Sequence, residues 1–132
     1  YYLTTAMDCK DHGGQHYCIV DGGMNHLNYL GQIMGMKRPH LRHFAARAAS
    51  VQDWTLCGSL CTTNDVLVRS MPLAGLCPGE LLVFENTGAY SVTEGLGLFL
   101  SRDLPQVILW QNGTPHPVRS ETPTYPINTP AV

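Results

Sequence analysis

The chain has 132 residues, enough for one domain to bury a core without disulfide or metal staples. Its 8 Lys and Arg against 10 Asp and Glu leave a net charge of -2, which gives no electrostatic footprint for nucleic acid or anionic lipid and argues against both partners. Charged residues make up only 14%, below the ~25% of ordinary soluble domains, which points to surface that another element covers.

Tyr1 to Lys10 is rich in aromatic and β-branched residues, and Asp11-His12-Gly13-Gly14 is turn chemistry. His16 to Asp21 alternates again, so the first twenty residues predict a β-hairpin. The opening reads as a strand already under way, without an initiator Met, and the chain is therefore expected to be a piece of a longer protein. After Gly22-Gly23, Leu27, Leu30, Ile33 and Met34 recur at helical spacing, and Gly35 with Pro39 close the segment. One short helix is expected near residues 24–34.

His40 to Ala49 reads as a strand on Leu41, His43 and Phe44, against an Ala-rich composition that favours helix. Trp54-Thr55-Leu56-Cys57 alternates as a strand, Gly58 to Asp65 is a polar loop, and Val66-Leu67-Val68 returns to strand. Pro78-Gly79 turns the chain into Glu80-Leu81-Leu82-Val83-Phe84-Glu85, an apolar run with little alternation that predicts a central strand buried on both faces. Gln106 to Trp110 predicts another buried strand, and Asn112-Gly113 is a type I′ turn signal leading to a last strand around His116 to Arg119. Pro123, Pro126 and Pro130 leave residues 121–132 an extended tail. The expected fold is mainly β, a Greek-key barrel or sandwich of about six to eight strands with one short helix, occupying residues 1–120.

The five cysteines are odd in number and lack paired CxxC spacing, so neither a disulfide framework nor a zinc ribbon fits, and a reducing cytoplasm does. His40, His43, Cys57 and Cys61 have spacing poorly suited to zinc, and no metal site is expected. No apolar run reaches the ~18 residues that cross a bilayer.

Four segments carry a resemblance. They are Val20-Asp21-Gly22-Gly23-Met24-Asn25, Cys57-Gly58-Ser59-Leu60-Cys61-Thr62-Thr63-Asn64-Asp65-Val66-Leu67, Leu76-Cys77-Pro78-Gly79-Glu80-Leu81-Leu82-Val83-Phe84, and Asn86-Thr87-Gly88-Ala89-Tyr90. In order and spacing they resemble the C-terminal part of the fold-type III pyridoxal-phosphate decarboxylases, which include the diaminopimelate, ornithine and arginine enzymes. The resemblance spans about residues 1 to 110 and implies a carboxy-lyase. It also implies that the cofactor sits in an N-terminal (β/α)8 barrel, bound through a lysine beside glycine-rich phosphate loops that are not in this sequence. This domain alone is then expected to be inactive. Its partners are that barrel, a second copy in a homodimer with a shared active site, and a small amino-acid substrate.

By the same resemblance, Cys61 is the acid that protonates the substrate Cα after carbon dioxide leaves, work that suits a compact thiol ionising near about 8.5. The competing reading is a buried structural cysteine, as for Cys9, Cys18 and Cys57. Tyr90 matches a tyrosine that donates to the cofactor phosphate, with Gly88 allowing close approach, against an ordinary rim aromatic. Asp65 matches an aspartate that meets a basic residue across the dimer interface, and it reads equally well as an Asx-type cap on its own loop. Thr62 stands where the diaminopimelate enzymes have Glu and the ornithine enzymes have Asp, the carboxylate that binds a distal ammonium. Tyr29 and Ile33 fall where the diaminopimelate enzymes carry an Arg and a Tyr that hold the distal carboxylate. An altered substrate is therefore expected, with a non-catalytic regulatory β-domain of the same descent as the alternative.

Overall fold

A computed structural model describes residues 1–28 and 37–130. The chain divides into two compact units, residues 1–95 and 96–132.

The first unit is a six-stranded, barrel-like sheet. Its strands are β1 (Tyr2–His12), β2 (Gln15–Val20), β3 (Leu41–Phe44), β4 (Val51–Cys57), β5 (Val66–Ala74) and β6 (Leu81–Phe84), in the order β3-β6-β1-β2-β4-β5. The mainly β class expected from the sequence is the class observed. β1 and β2 form the expected hairpin, turned at Gly13 (φ 58°) and Gly14 (φ 77°), positive angles that glycine adopts without steric cost.

β1 serves two neighbours. Tyr2 to Thr5 pair with β6 and Ala6 to His12 with β2, and a register shift between Ala6 and Asp8 marks the change of partner. Such a bulge bends and twists a strand locally. β2 and β4 run parallel while the other pairs are antiparallel. All six strands feed one core built around Ala6, Cys18, Val20, Trp54, Leu56, Val68, Met71, Leu82 and Phe84, with Leu41 packed against it. One core supplied from every strand requires the sheet to curl around it.

Several expectations change. β5 continues past Val68 to Ala74, through Ser70 at φ 52° and Pro72. Of the helix expected near 24–34, residues 29–34 lie outside the described residues. Met24 to His26 form a turn in which the His26 and Leu27 N–H groups donate to the Gly23 carbonyl. A short helix α1 (Tyr90–Thr93) follows β6.

In the second unit β7 (Val107–Gln111) and β8 (Thr114–Arg119) form a hairpin about Asn112 and Gly113, both at positive φ as the turn requires. β7 was expected to be buried, and it is exposed along its whole length, Trp110 at 68%. A two-stranded ribbon has only one neighbour per strand, so an apolar run does not suffice to bury it. Residues 121–130 are more than an extended arm: Thr122 bridges Leu104, buried Thr124 donates to the Arg102 carbonyl, and Tyr125–Asn128 form helix α2.

Candidate functional site

The Gly58 to Asp65 loop between β4 and β5 carries Cys61. Its ends are closed by the Gly58 N–H donating to the Asp65 carbonyl (2.9 Å). The Asp65 side chain then turns inward, 2% exposed, and accepts from Leu60 N–H (2.9 Å) and Met24 N–H (2.8 Å), one on each oxygen. Two glycines make this possible. A Cβ on Gly58 would fall 2.1 Å from an Asp65 oxygen, and one on Gly23 would fall 2.5 Å from the same atom. Ser59 N–H donates to the Gly22 carbonyl (2.8 Å), so the loop is laced to the Asp21 to Met24 turn along its first half.

That turn is itself anchored. Asp21 accepts from the Thr4 hydroxyl and from the Thr5 N–H (3.0 Å). The Tyr2 hydroxyl meets His26 Nδ1 at 2.9 Å, and burial, with Asp21 adding to it, pushes the phenol up to about 12. Gly22 is obligatory here, since a Cβ would lie 1.6 Å from the Tyr2 oxygen. Asn25 is buried, and neither end of its amide has a partner among the described residues.

Cys61 is exposed at the crest of its loop. Beside it the Thr62 hydroxyl accepts from Asn64 N–H (3.2 Å), a side-chain turn that a carboxylate is not needed to make. Burial raises the Cys9, Cys18 and Cys57 thiols above the usual thiol range.

Tyr90 begins α1 and is 74% exposed. Ala89, at φ 51°, reverses the chain just before it, and Thr87 is buried beneath. Gly88 has no atom within 4 Å of where a Cβ would sit, so the approach over its backbone is open. The helix is fastened to the same segment that holds the Cys61 loop, through Asn28 N–H to the Ser91 carbonyl (2.8 Å) and the Asn28 amide to the Glu94 carbonyl (3.3 Å). Cys61, Thr62, Gly88 and Tyr90 are thus carried by two loops tied to residues 22–28. Tyr29 and Ile33 lie outside the described residues. Asp65, expected either at a dimer interface or as a cap on its own loop, has both oxygens accepting N–H groups of its own chain.

Sequence reasoning did not single out Glu80. Its carboxylate is buried and accepts from Ala46 N–H (2.8 Å), Cys77 N–H (2.9 Å) and His43 Nε2 (2.8 Å). Desolvation alone would raise it, and these donors more than offset that, so it titrates below the usual carboxylate value. The signal was present: an acid opening an apolar run has to be satisfied somewhere. His43 is therefore engaged with Glu80, and among the described residues no group of three or more His, Cys, Asp or Glu side chains is arranged to hold a metal.

A mainly β, barrel-like sheet of this kind is consistent with the C-terminal sheet domain of pyridoxal-dependent decarboxylases. That family matches residues 1–88, and the chain belongs to it. It is 32% identical over 120 residues to L-glutamyl-[BtrI acyl-carrier protein] decarboxylase of Niallia circulans, covering 86% of this chain and 28% of that protein. It is also 32% identical over 117 residues to 2-[(L-alanin-3-ylcarbamoyl)methyl]-2-hydroxybutanedioate decarboxylase of Staphylococcus aureus, covering 82% of this chain and 29% of that one. Among solved structures a diaminopimelate decarboxylase superposes with a TM-score of 0.77 at 27% identity, over 91% of this chain and 31% of that one. The chain spans less than a third of the length of the curated relatives it matches.

Proposed function

We propose that this chain is the active-site-completing domain of a pyridoxal-phosphate-dependent amino-acid decarboxylase, with the cofactor lysine on another part of the polypeptide. The observation that carries the reading is the outward exposure of Cys61 and Tyr90 from two loops fastened to one segment. The residues present suit one wall of such a site. Tyr90 offers a neutral donor for a phosphate, open backbone at Gly88 admits it, and the Cys61 thiol is free to give a proton to the substrate Cα. When bound, pyridoxal phosphate supplies the electron sink that lets the α-carboxylate leave.

On this reading the chain works in a homodimer in which each copy's two loops face the cofactor of the other, and the isolated domain is inactive. A cytoplasmic setting belongs to the same reading, supported by the unpaired cysteine spacing. The substrate is one without a distal ammonium that needs a carboxylate, because Thr62 is neutral and its hydroxyl already accepts from Asn64. The Niallia circulans relative, by its name, decarboxylates a glutamyl group held on a carrier protein, and a carrier-linked or similarly modified acid is the substrate class favoured here.

The test is made in the full-length protein. Cys61→Ala and Cys61→Ser should keep the bound cofactor absorbance and lose clean amine formation; undiminished amine output would remove the assignment. Robust turnover of meso-diaminopimelate would refute the altered substrate.

A further inference from the structure

We infer that Asp65 is a positioning residue that sets Cys61 and Tyr90 in register with each other, in addition to closing its own loop. The inference rests on the reading of those two side chains as site groups. A carboxylate that merely capped its loop would need one local donor and one gap in the packing. Asp65 has two of each. Leu60 N–H, one residue before Cys61, binds one oxygen, and Met24 N–H, 41 positions away in sequence, binds the other. Gly58 clears space on the side of the loop and Gly23 on the side of the turn.

The second donor gives the arrangement its reach. Met24 opens the segment whose far end, Asn28, donates to the carbonyl of Ser91, the neighbour of Tyr90. The path from thiol to phenol therefore runs Cys61, Leu60, Asp65, Met24, Asn28, Ser91, Tyr90, and Asp65 is its only side-chain carboxylate. Hydrogen bonds from N–H groups to a charged, water-excluded acceptor are shorter and stronger than neutral ones, so this is the stiff joint of the path. Catalytic groups need support of this kind, because displacement by about an ångström can cost a hundredfold in rate.

Two experiments on the full-length protein decide it. In the unmutated protein the Leu60 and Met24 amide hydrogens should exchange at least about a hundredfold more slowly than in an unstructured loop. Exchange at the free-loop rate overturns the inference, and this measurement stands even if variants do not fold. In Asp65→Asn one oxygen becomes an NH2 that faces an N–H donor. The folded variant should keep its cofactor, lose at least about tenfold in kcat with KM nearly unchanged, and alkylate at Cys61 with iodoacetamide at a rate shifted severalfold. Asp65→Ala should lose more, with Asn as partial rescue. An unchanged Cys61 alkylation rate in folded Asp65→Asn overturns the inference. Full turnover by Cys61→Ser would instead sink the role of the thiol, while amide exchange and alkylation still decide the role of Asp65.

Discussion

The imidazole of His43 and the carboxylate of Glu80 meet at 2.8 Å with 6% of each side chain exposed, and the contact ties edge strand β3 to the turn before β6. Glu80 titrates below the value a carboxylate has in the unfolded chain. Its stabilisation is therefore complete above that value and is lost as pH falls through the folded one. Thermal melting should be flat near neutrality and drop below about pH 4. Glu80→Gln should cost about 3 kcal/mol at pH 7 and flatten the acid limb; an unchanged acid limb would mean that other groups set it.

The glycines predict a contrast in denaturant midpoints. Gly22→Ala and Gly58→Ala force a methyl into the Tyr2 hydroxyl and the Asp65 carboxylate, and each should cost at least about 2 kcal/mol. Gly88→Ala meets nothing within 4 Å and should leave the midpoint unmoved, while lowering cofactor retention in the full-length protein. Equal midpoints for all three would contradict the packing described.

Tyr90→Phe removes a hydroxyl from a largely exposed ring, so stability should hold within about 0.5 kcal/mol. Cofactor affinity in the full-length protein should weaken by roughly tenfold, the worth of one hydrogen bond to a charged group. Equal affinity by absorbance titration counts against the phosphate contact.

Alkylation at neutral pH should mark Cys61 first. It is exposed, whereas burial raises the Cys9, Cys18 and Cys57 thiols and keeps them from ionising. Peptide mapping after brief iodoacetamide treatment reads the order directly, and early labelling of Cys18 would show that β2 opens.

Local chemistry made much of the fold legible. Gly13-Gly14 and Asn112-Gly113 dictate their turns within two residues, and Trp54 to Cys57 alternates as the sheet demands. What was hidden depends on distant partners. β5 past Val68 is masked by Arg69, Ser70 and Pro72, residues that read as a loop until β4 is set beside them. β7 carries the apolar run of a buried strand, yet burial is decided by what lies opposite, and among the described residues only β8 pairs with it. Motif spacing singled out Cys61 and Tyr90 as candidates, but the inward turn of Asp65 involves Met24, which no local pattern links to it.

β1 lies between β2 and β6 although it is the first strand of the chain. On the ribosome, Tyr2 to Thr5 must wait with one edge unsatisfied until Leu81 to Phe84 have emerged. Assembly of the barrel is thus deferred almost to the completion of its own coding stretch. Nascent chains stalled before residue 81 should engage chaperones through that open edge, and those stalled well beyond it should not.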